Sequence, residues 1–235
     1  MKLKLLFLFL PFFLVAQNQE KSLVKKITKN ISVNYVLHLP DNYNGLKKNW
    51  PLIVFLHGSG ERGDDLSKVS IHGPLKYVKE GNKLDAIILA PQCPEKDIWD
   101  NDILYTLIKE VVYKNKVDIT RIYLTGLSMG GYGTWNLALD HPELFAAVVP
   151  ICAPIMYNFT EKSSKLKDKP VWVFHGGKDK VVPVSYSKRM VEAIKKIGGK
   201  PKLTIYPNAG HDSWSIPYAD PEFYKWLLDQ EQNID

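Results

Sequence analysis

The sequence offers little that would hold a fold by covalent bonds or metal. It has two cysteines, Cys93 and Cys152, in 235 residues, which excludes a disulfide framework. They stand 59 residues apart, and no histidine pair at i, i+4 spacing has an acid nearby, so spacing signals no metal site. No cofactor is expected. Arginine is scarce as well: Arg62, Arg121 and Arg189 are the three among 31 Lys plus Arg. Nucleic-acid readers lean on bidentate arginine and clustered charge. Here the lysines are scattered among acids, so the net charge of +6 reads as a solvated surface with no nucleic-acid partner. There is no internal repeat, no low-complexity tract and no linker long enough to separate domains.

What is present is ordinary globular material, 45% hydrophobic and 24% charged. A domain of this size buries roughly three-quarters of its unfolded surface and needs no staples. The apolar run Leu5–Ala16, preceded by Lys2 and Lys4, has twelve residues, short of the ~18–20 that span a membrane. With the polar Gln17-Asn18-Gln19-Glu20 behind it, it reads as a secretory signal peptide, although Leu14 at position −3 departs from the small-residue rule. Residues 1–16 are expected to be removed, leaving 17–235 as a single catalytic domain, secreted or periplasmic, with no membrane span. Removing two lysines lowers the net charge to +4. Asn30-Ile31-Ser32 and Asn158-Phe159-Thr160 are glycosylation sequons.

Short apolar runs alternate with amphipathic ones. Ile31–Leu39, Leu52–Leu56, Ala86–Ala90, Ile122–Thr125, Phe145–Ile151, Val171–Phe174 and Leu203–Tyr206 predict strands. Ile103–Tyr113, Tyr132–Leu139 and Tyr186–Ile197 carry apolar residues at helical spacing. Strands alternating with helices predict an α/β fold, a mostly parallel sheet flanked by helices. Functional groups then collect on loops at the carboxyl ends of strands.

One such loop, Gly126-Leu127-Ser128-Met129-Gly130-Gly131, is G-x-S-x-G between a strand and a helix, the context of a nucleophile elbow. The turn is so sharp that its flanks must lack side chains, and it lifts the serine hydroxyl above the sheet. Serine needs a base oriented by a carboxylate. Asp179 follows the strand ending at Phe174, and His211 follows the one ending at Tyr206, giving the order Ser128, Asp179, His211. His175 sits within or just past its strand, His141 precedes Pro142, and His38 lies on an early strand. Asp212 is too close in sequence to reach the far nitrogen of His211.

These residues, with Leu56-His57-Gly58-Ser59-Gly60-Glu61-Arg62-Gly63, Ala90-Pro91-Gln92-Cys93, His141-Pro142-Glu143-Leu144-Phe145-Ala146-Ala147, His175-Gly176-Gly177-Lys178-Asp179 and Gly210-His211-Asp212-Ser213-Trp214, resemble an α/β-hydrolase of the dienelactone-hydrolase and prolyl-oligopeptidase-like group. More narrowly, the chain is similar to small secreted esterases related to carbohydrate esterase family 1 and polyhydroxybutyrate depolymerases. The resemblance spans Leu52 to about Trp226 and is specific for fold and triad, not substrate. It implies an oxyanion hole of backbone N–H groups from Met129 and Ser59, with Gly60 as the alternative to Ser59. It also implies a strand order that holds Cys93 and Cys152 roughly 14 Å apart, too far to bond.

Gly58-Ser59-Gly60-Glu61-Arg62-Gly63 also matches a dinucleotide fingerprint. Glu61, Asp64 and Asp65 would face the pyrophosphate, His72-Gly73-Pro74 leaves little room for the helix, and Asp85 precedes its strand. That reading fails.

The stretch Cys152–Lys169 is a polar, lysine-rich loop, too short for a cap domain. An uncapped site suits bulky, polymeric or carbohydrate-linked esters, including acyl or feruloyl esters. Trp99, Tyr157, Trp214 and Tyr218 lie on loops expected near the mouth, either to stack on a sugar or phenolic ring or to cover the apolar bases of those loops. The leading expectation is a secreted serine esterase. The alternatives are a peptidase of prolyl-oligopeptidase type, for whose gating propeller the chain is expected to have no room, and a surface binding protein that kept the fold, against which the intact serine, histidine and aspartate speak.

Overall fold

The computed structural model describes residues 20–25, 28, 30–45 and 47–233. The expected leader, residues 1–16, lies outside them. The chain divides into two units, 1–30 and 31–235. The described residues of the first carry no regular secondary structure.

The second unit is built on seven strands: β1 (Tyr35–His38), β2 (Trp50–Leu56), β3 (Ile87–Pro91), β4 (Val117–Leu127), β5 (Ala147–Ile151), β6 (Trp172–Gly176) and β7 (Lys202–Tyr206). Their spatial order is β1-β3-β2-β4-β5-β6-β7. β1 pairs antiparallel with β3 and the other pairings are parallel. The ladder between β5 and β6 is thin, one registered pair at Ile151↔Phe174 and a bridge at Val148↔Val171.

The helices are α1 (Gly73–Lys79), α2 (Asn101–Lys114), α3 (Met129–Asp140), α4 (Ser185–Lys196), α5 (Ser215–Ala219) and α6 (Pro221–Leu228). Side-chain alternation decides their placement. Leu52, Val54 and Leu56 of β2 join the core formed with α2, α3 and α4, while Ile53 and Phe55 join the core formed with α1, α5 and α6. A strand covered on both faces reads as one continuous apolar run, and all seven residues of β2 are buried. Caps set the helix starts: the Asp100 carboxylate accepts the N–H groups of Asp102 and Ile103 at 2.9 and 3.1 Å.

Every strand shifts from its expected bounds, most by one or two residues, and three of the shifts have a visible cause. The first is four residues rather than Ile31–Leu39, because as an edge strand it lasts only while it registers against β3, from Tyr35↔Pro91 to His38↔Ile88. β4 starts five residues early, at Val117, where an irregularity lets Trp50 pair with Val117 across polar Asp118 and Thr120. β5 starts at Ala147, Phe145 closing a short 3-10 turn instead. Between β5 and β6, Cys152–Lys169 carries 3-10 turns at Tyr157–Phe159 and Glu161–Leu166.

Candidate active site

Ser128 follows β4 and is the N-cap of α3, with φ 52° and ψ −117°. That strained backbone persists because its surroundings over-determine it. A Cβ on Gly130 would stand 1.9 Å from Leu56 O, and one on Gly126 would stand 2.4 Å from Gly130 O. The two glycines let the helix start press against the end of β2. The Ser128 N–H donates to Ile151 O at 2.9 Å, tying the turn to β5.

Ser128 Oγ lies 2.9 Å from His211 Nε2, and His211 Nδ1 lies 2.8 Å from Asp179 Oδ2. The three residues come from loops after β4, β6 and β7. An ionised carboxylate only accepts, so Nδ1 carries the imidazole proton and Nε2 offers its lone pair to the serine hydroxyl. Burial alone would raise the Asp179 pKa, but hydrogen bonds from His211 and from the N–H groups of Val182 and Val181 outweigh it and hold the carboxyl below its usual value. The two N–H donors reach Oδ1 at 2.9 and 2.8 Å.

His175, set aside as a base, is fully buried. Its Nε2 donates to Val182 O at 2.9 Å and lies 3.3 Å from Asp179 Oδ2, while Nδ1 accepts from Ser187 Oγ at 2.7 Å. Burial lowers its pKa and keeps it neutral. Its position four residues before Asp179 was the available signal.

The loop after β2 is held by contacts that motif reading does not supply. Trp99 Nε1–H donates to His57 O at 3.2 Å, and His57 Nε2 accepts the Cys93 N–H at 3.0 Å. The His57 proton is therefore on Nδ1, donated to Gly58 O at 2.6 Å, and burial lowers this pKa too. Gly58 N–H is committed to Glu61 Oε2 at 2.9 Å. The N–H groups of Ser59 and Gly60 come next in the loop, and that of Met129 opens α3. Gln92 Nε2 donates to Glu61 O and Asp65 O at 3.0 and 2.8 Å, locking the far side.

Of the four aromatics, two are not at a mouth. Trp99 and Tyr218 are 4% exposed. Trp99 packs edge-on against His57, and Tyr218 shares a hydrogen bond of 2.8 Å with Thr125 Oγ1 inside the core. Both spend their polar tips on internal partners: Trp99 covers the base of its loop, and Tyr218 is a core residue of α5 rather than of a loop. Trp214 is half-buried and meets His211 edge-on at 5.3 Å and His72 at 5.5 Å. Tyr157 is 80% exposed.

Cys93 and Cys152 are free and buried, as the strand order implied. Burial pushes their thiols up to about 11 and about 12, so both hold their protons at neutral pH. Cys152 sits close to Asp179 and His211, in reach of the Ser128 N–H and the Ser213 hydroxyl.

A family model described as phospholipase/carboxylesterase matches residues 89–219, which include Ser128, Asp179 and His211. The chain belongs to this family. Its relatives locate it further, within the α/β-hydrolases of the dienelactone-hydrolase-like group. A protein of Escherichia coli K12 named as a carboxymethylenebutenolidase is 28% identical over 104 residues, 42% of this chain and 38% of the relative. One of Methylorubrum extorquens with the same name is 33% identical over 103 residues, 41% of this chain and 35% of the relative. The chain thus spans well under half the length of these relatives. A crystal structure described as a thermostable esterase superposes with a TM-score of 0.72 at 34% identity, covering 85% of this chain and 60% of that one. The sheet and its flanking helices are therefore an α/β-hydrolase fold.

Proposed function

We propose that this family member is an exported serine hydrolase of carboxylic esters, working through Ser128, His211 and Asp179. The observation that carries the reading is the unbroken hydrogen-bond chain from Ser128 Oγ through His211 to Asp179, 2.9 and 2.8 Å long. Ser128 Oγ attacks the ester carbonyl while His211 Nε2 takes the hydroxyl proton. Asp179 holds the ring in that tautomer and stabilises the imidazolium. The carbonyl oxygen becomes an oxyanion and accepts N–H bonds from Met129 and Ser59, with Gly60 as the alternative to Ser59, each such donor being worth about 2.7–4 kcal/mol in typical cases. His211 returns the proton to the departing alcohol, leaving an acyl ester on Ser128. Water, deprotonated by His211, then releases the acid.

The leader at 1–16 supports export, and the short Cys152–Lys169 connection supports a large ester, carbohydrate-linked or polymeric. Trp214, edge-on to His211, and exposed Tyr157 are the aromatic surfaces suited to an aryl or sugar ring.

The test is turnover by purified protein of p-nitrophenyl acetate, methyl ferulate and a prolyl p-nitroanilide, followed by feruloylated and acetylated polysaccharides and polyhydroxybutyrate. Ester cleavage with fluorophosphonate labelling is expected. Preference for the anilide would replace the esterase with a peptidase. No labelling and no turnover would leave a binding protein.

A further inference from the structure

Cys152 is a nucleophilic side chain close to Ser128 that the ester mechanism leaves unused. Its Sγ, a carboxylate oxygen of Asp179 and a ring nitrogen of His211 all lie within 4.8 Å of one another. The three come from separate loops, after β5, β6 and β7, so no sequence spacing signals the cluster. Thiolate, carboxylate and imidazole are the three protein ligand types of zinc, at about 2.3, 2.0–2.2 and 2.0–2.1 Å. Around one tetrahedral ion they would sit roughly 3.3–3.7 Å apart, about 1 Å closer than the outer limit observed. Next to them, the Ser213 hydroxyl is buried with no hydrogen-bond partner. It lies against the Cys152 thiol, at the edge of the same cluster.

We propose that Cys152, Asp179 and His211 form a site for a thiophilic divalent cation of the zinc class, whose occupancy switches off the Ser128–His211 pair. Charge favours it, since one thiolate and one carboxylate balance a dication in a buried setting. Hard cations such as magnesium and calcium, which want six or more oxygens, do not fit. On binding, the thiol proton leaves to solvent, a sulfur–metal bond forms, and no electron is transferred. A metal on Nδ1 displaces that proton to Nε2, which then has no lone pair for Ser128. A metal on Nε2 uses the lone pair itself. Either way the serine loses its base. The inhibition rests on the catalytic roles proposed above, but the binding does not.

Binding is therefore measured first on full-length Ser128→Ala protein, with cadmium as the probe and its ultraviolet thiolate-to-metal absorption as the signal. One cadmium per chain with that band is expected, displaced by zinc, retained in a Ser128→Ala/Cys93→Ala protein and lost in Ser128→Ala/Cys152→Ala. Activity is then read as the ratio with and without zinc for each protein, so differences in basal rate cancel. Wild type should be inhibited and recover with chelator, while Cys152→Ala should need at least 10-fold more zinc. Cadmium bound without the thiolate band, or equal zinc sensitivity in Cys152→Ala, overturns the site. If Cys152→Ala folds poorly, the Cys93→Ala protein decides, since its band can come from Cys152 alone: a band keeps the site and its loss overturns it. No esterase activity alongside an intact band would instead overturn the function and keep the site.

Discussion

His175 Nε2 lies 3.3 Å from Asp179 Oδ2, so the carboxylate that steadies His211 is itself braced from the core side by a second histidine. The brace is neutral: its proton goes to Val182 O and toward Asp179, and its other nitrogen takes the Ser187 hydroxyl. His175→Phe would leave Ser187 and Val182 O buried and unpaired, at about 1–3 kcal/mol each. A stability loss of roughly 2–4 kcal/mol is expected in denaturant melts. kcat should fall while KM holds, because Asp179 loses its rest, not the substrate its pocket. An unchanged kcat would reduce His175 to packing.

Ser128→Ala should leave under about 1% of wild-type ester turnover, since removing the nucleophile of a triad usually costs far more. Asp179→Asn should cost roughly 10²–10⁴-fold in kcat by favouring the wrong tautomer of His211. Steady-state kinetics on p-nitrophenyl acetate measures both.

Acid should weaken the fold in two separate windows. The rings of His57 and His175 bind a proton near 6.5 when unfolded, but only at lower pH when buried. Their contribution is full above about 6.5 and drains as pH falls through the folded values. Asp179, held below its ordinary 3.8, contributes above that value and loses its contribution as pH falls through its lower folded one. Melting temperatures between pH 8 and 3 should therefore fall first below 6.5 and again below 4. His175→Gln should flatten the first decline and leave the second.

Two glycines, one beside Ser128 and one in the loop after β2, should behave oppositely. Gly130→Ala sets a methyl 1.9 Å from Leu56 O, a backbone atom that cannot step aside. A loss of about 3 kcal/mol or more is expected, lowering Tm by roughly 6–12 °C. Gly60→Ala meets nothing within 4 Å and should melt like wild type.

The two groups of aromatics should separate in the same way. Trp99→Ala empties a buried site and unpairs His57 O, costing about 3–5 kcal/mol. Tyr157→Ala, at an 80% exposed position, should leave Tm unchanged and act only on KM for aryl or sugar esters.

How far the sequence carried can be seen residue by residue. Apolar runs bounded by glycine and proline found the central strands, because a strand buried on both sides leaves no ambiguity of face. They misjudged β1, whose length depends on how far β3 accompanies it, and the start of β4, where polar Asp118 and Thr120 hide a pairing made possible by an irregularity. That Ser128, Asp179 and His211 meet in one hydrogen-bonded chain was legible, since the turn demands glycine and the partners must follow later strands. Trp99 and Tyr218 were not legible as core, because an aromatic outside the apolar runs shows its burial only through partners such as His57 O and Thr125 Oγ1. The nearness of Cys152 to Asp179 arises from neighbouring strand ends 27 positions apart, a relation that no local window contains.

The thin ladder between β5 and β6 runs through the middle of this assembly. Ser128 rides on the five-strand side, while Asp179 and His211 ride together on β6 and β7. Both cores cross it, through Val173 and Ile194 on one face and Phe174 on the other, so heating should loosen this line locally before the whole fold melts. Ser128 would then be stranded from His211 in a molecule still mostly folded. Inactivation by heat should accordingly precede the loss of secondary structure, and reverse on cooling for as long as the two blocks can find each other again.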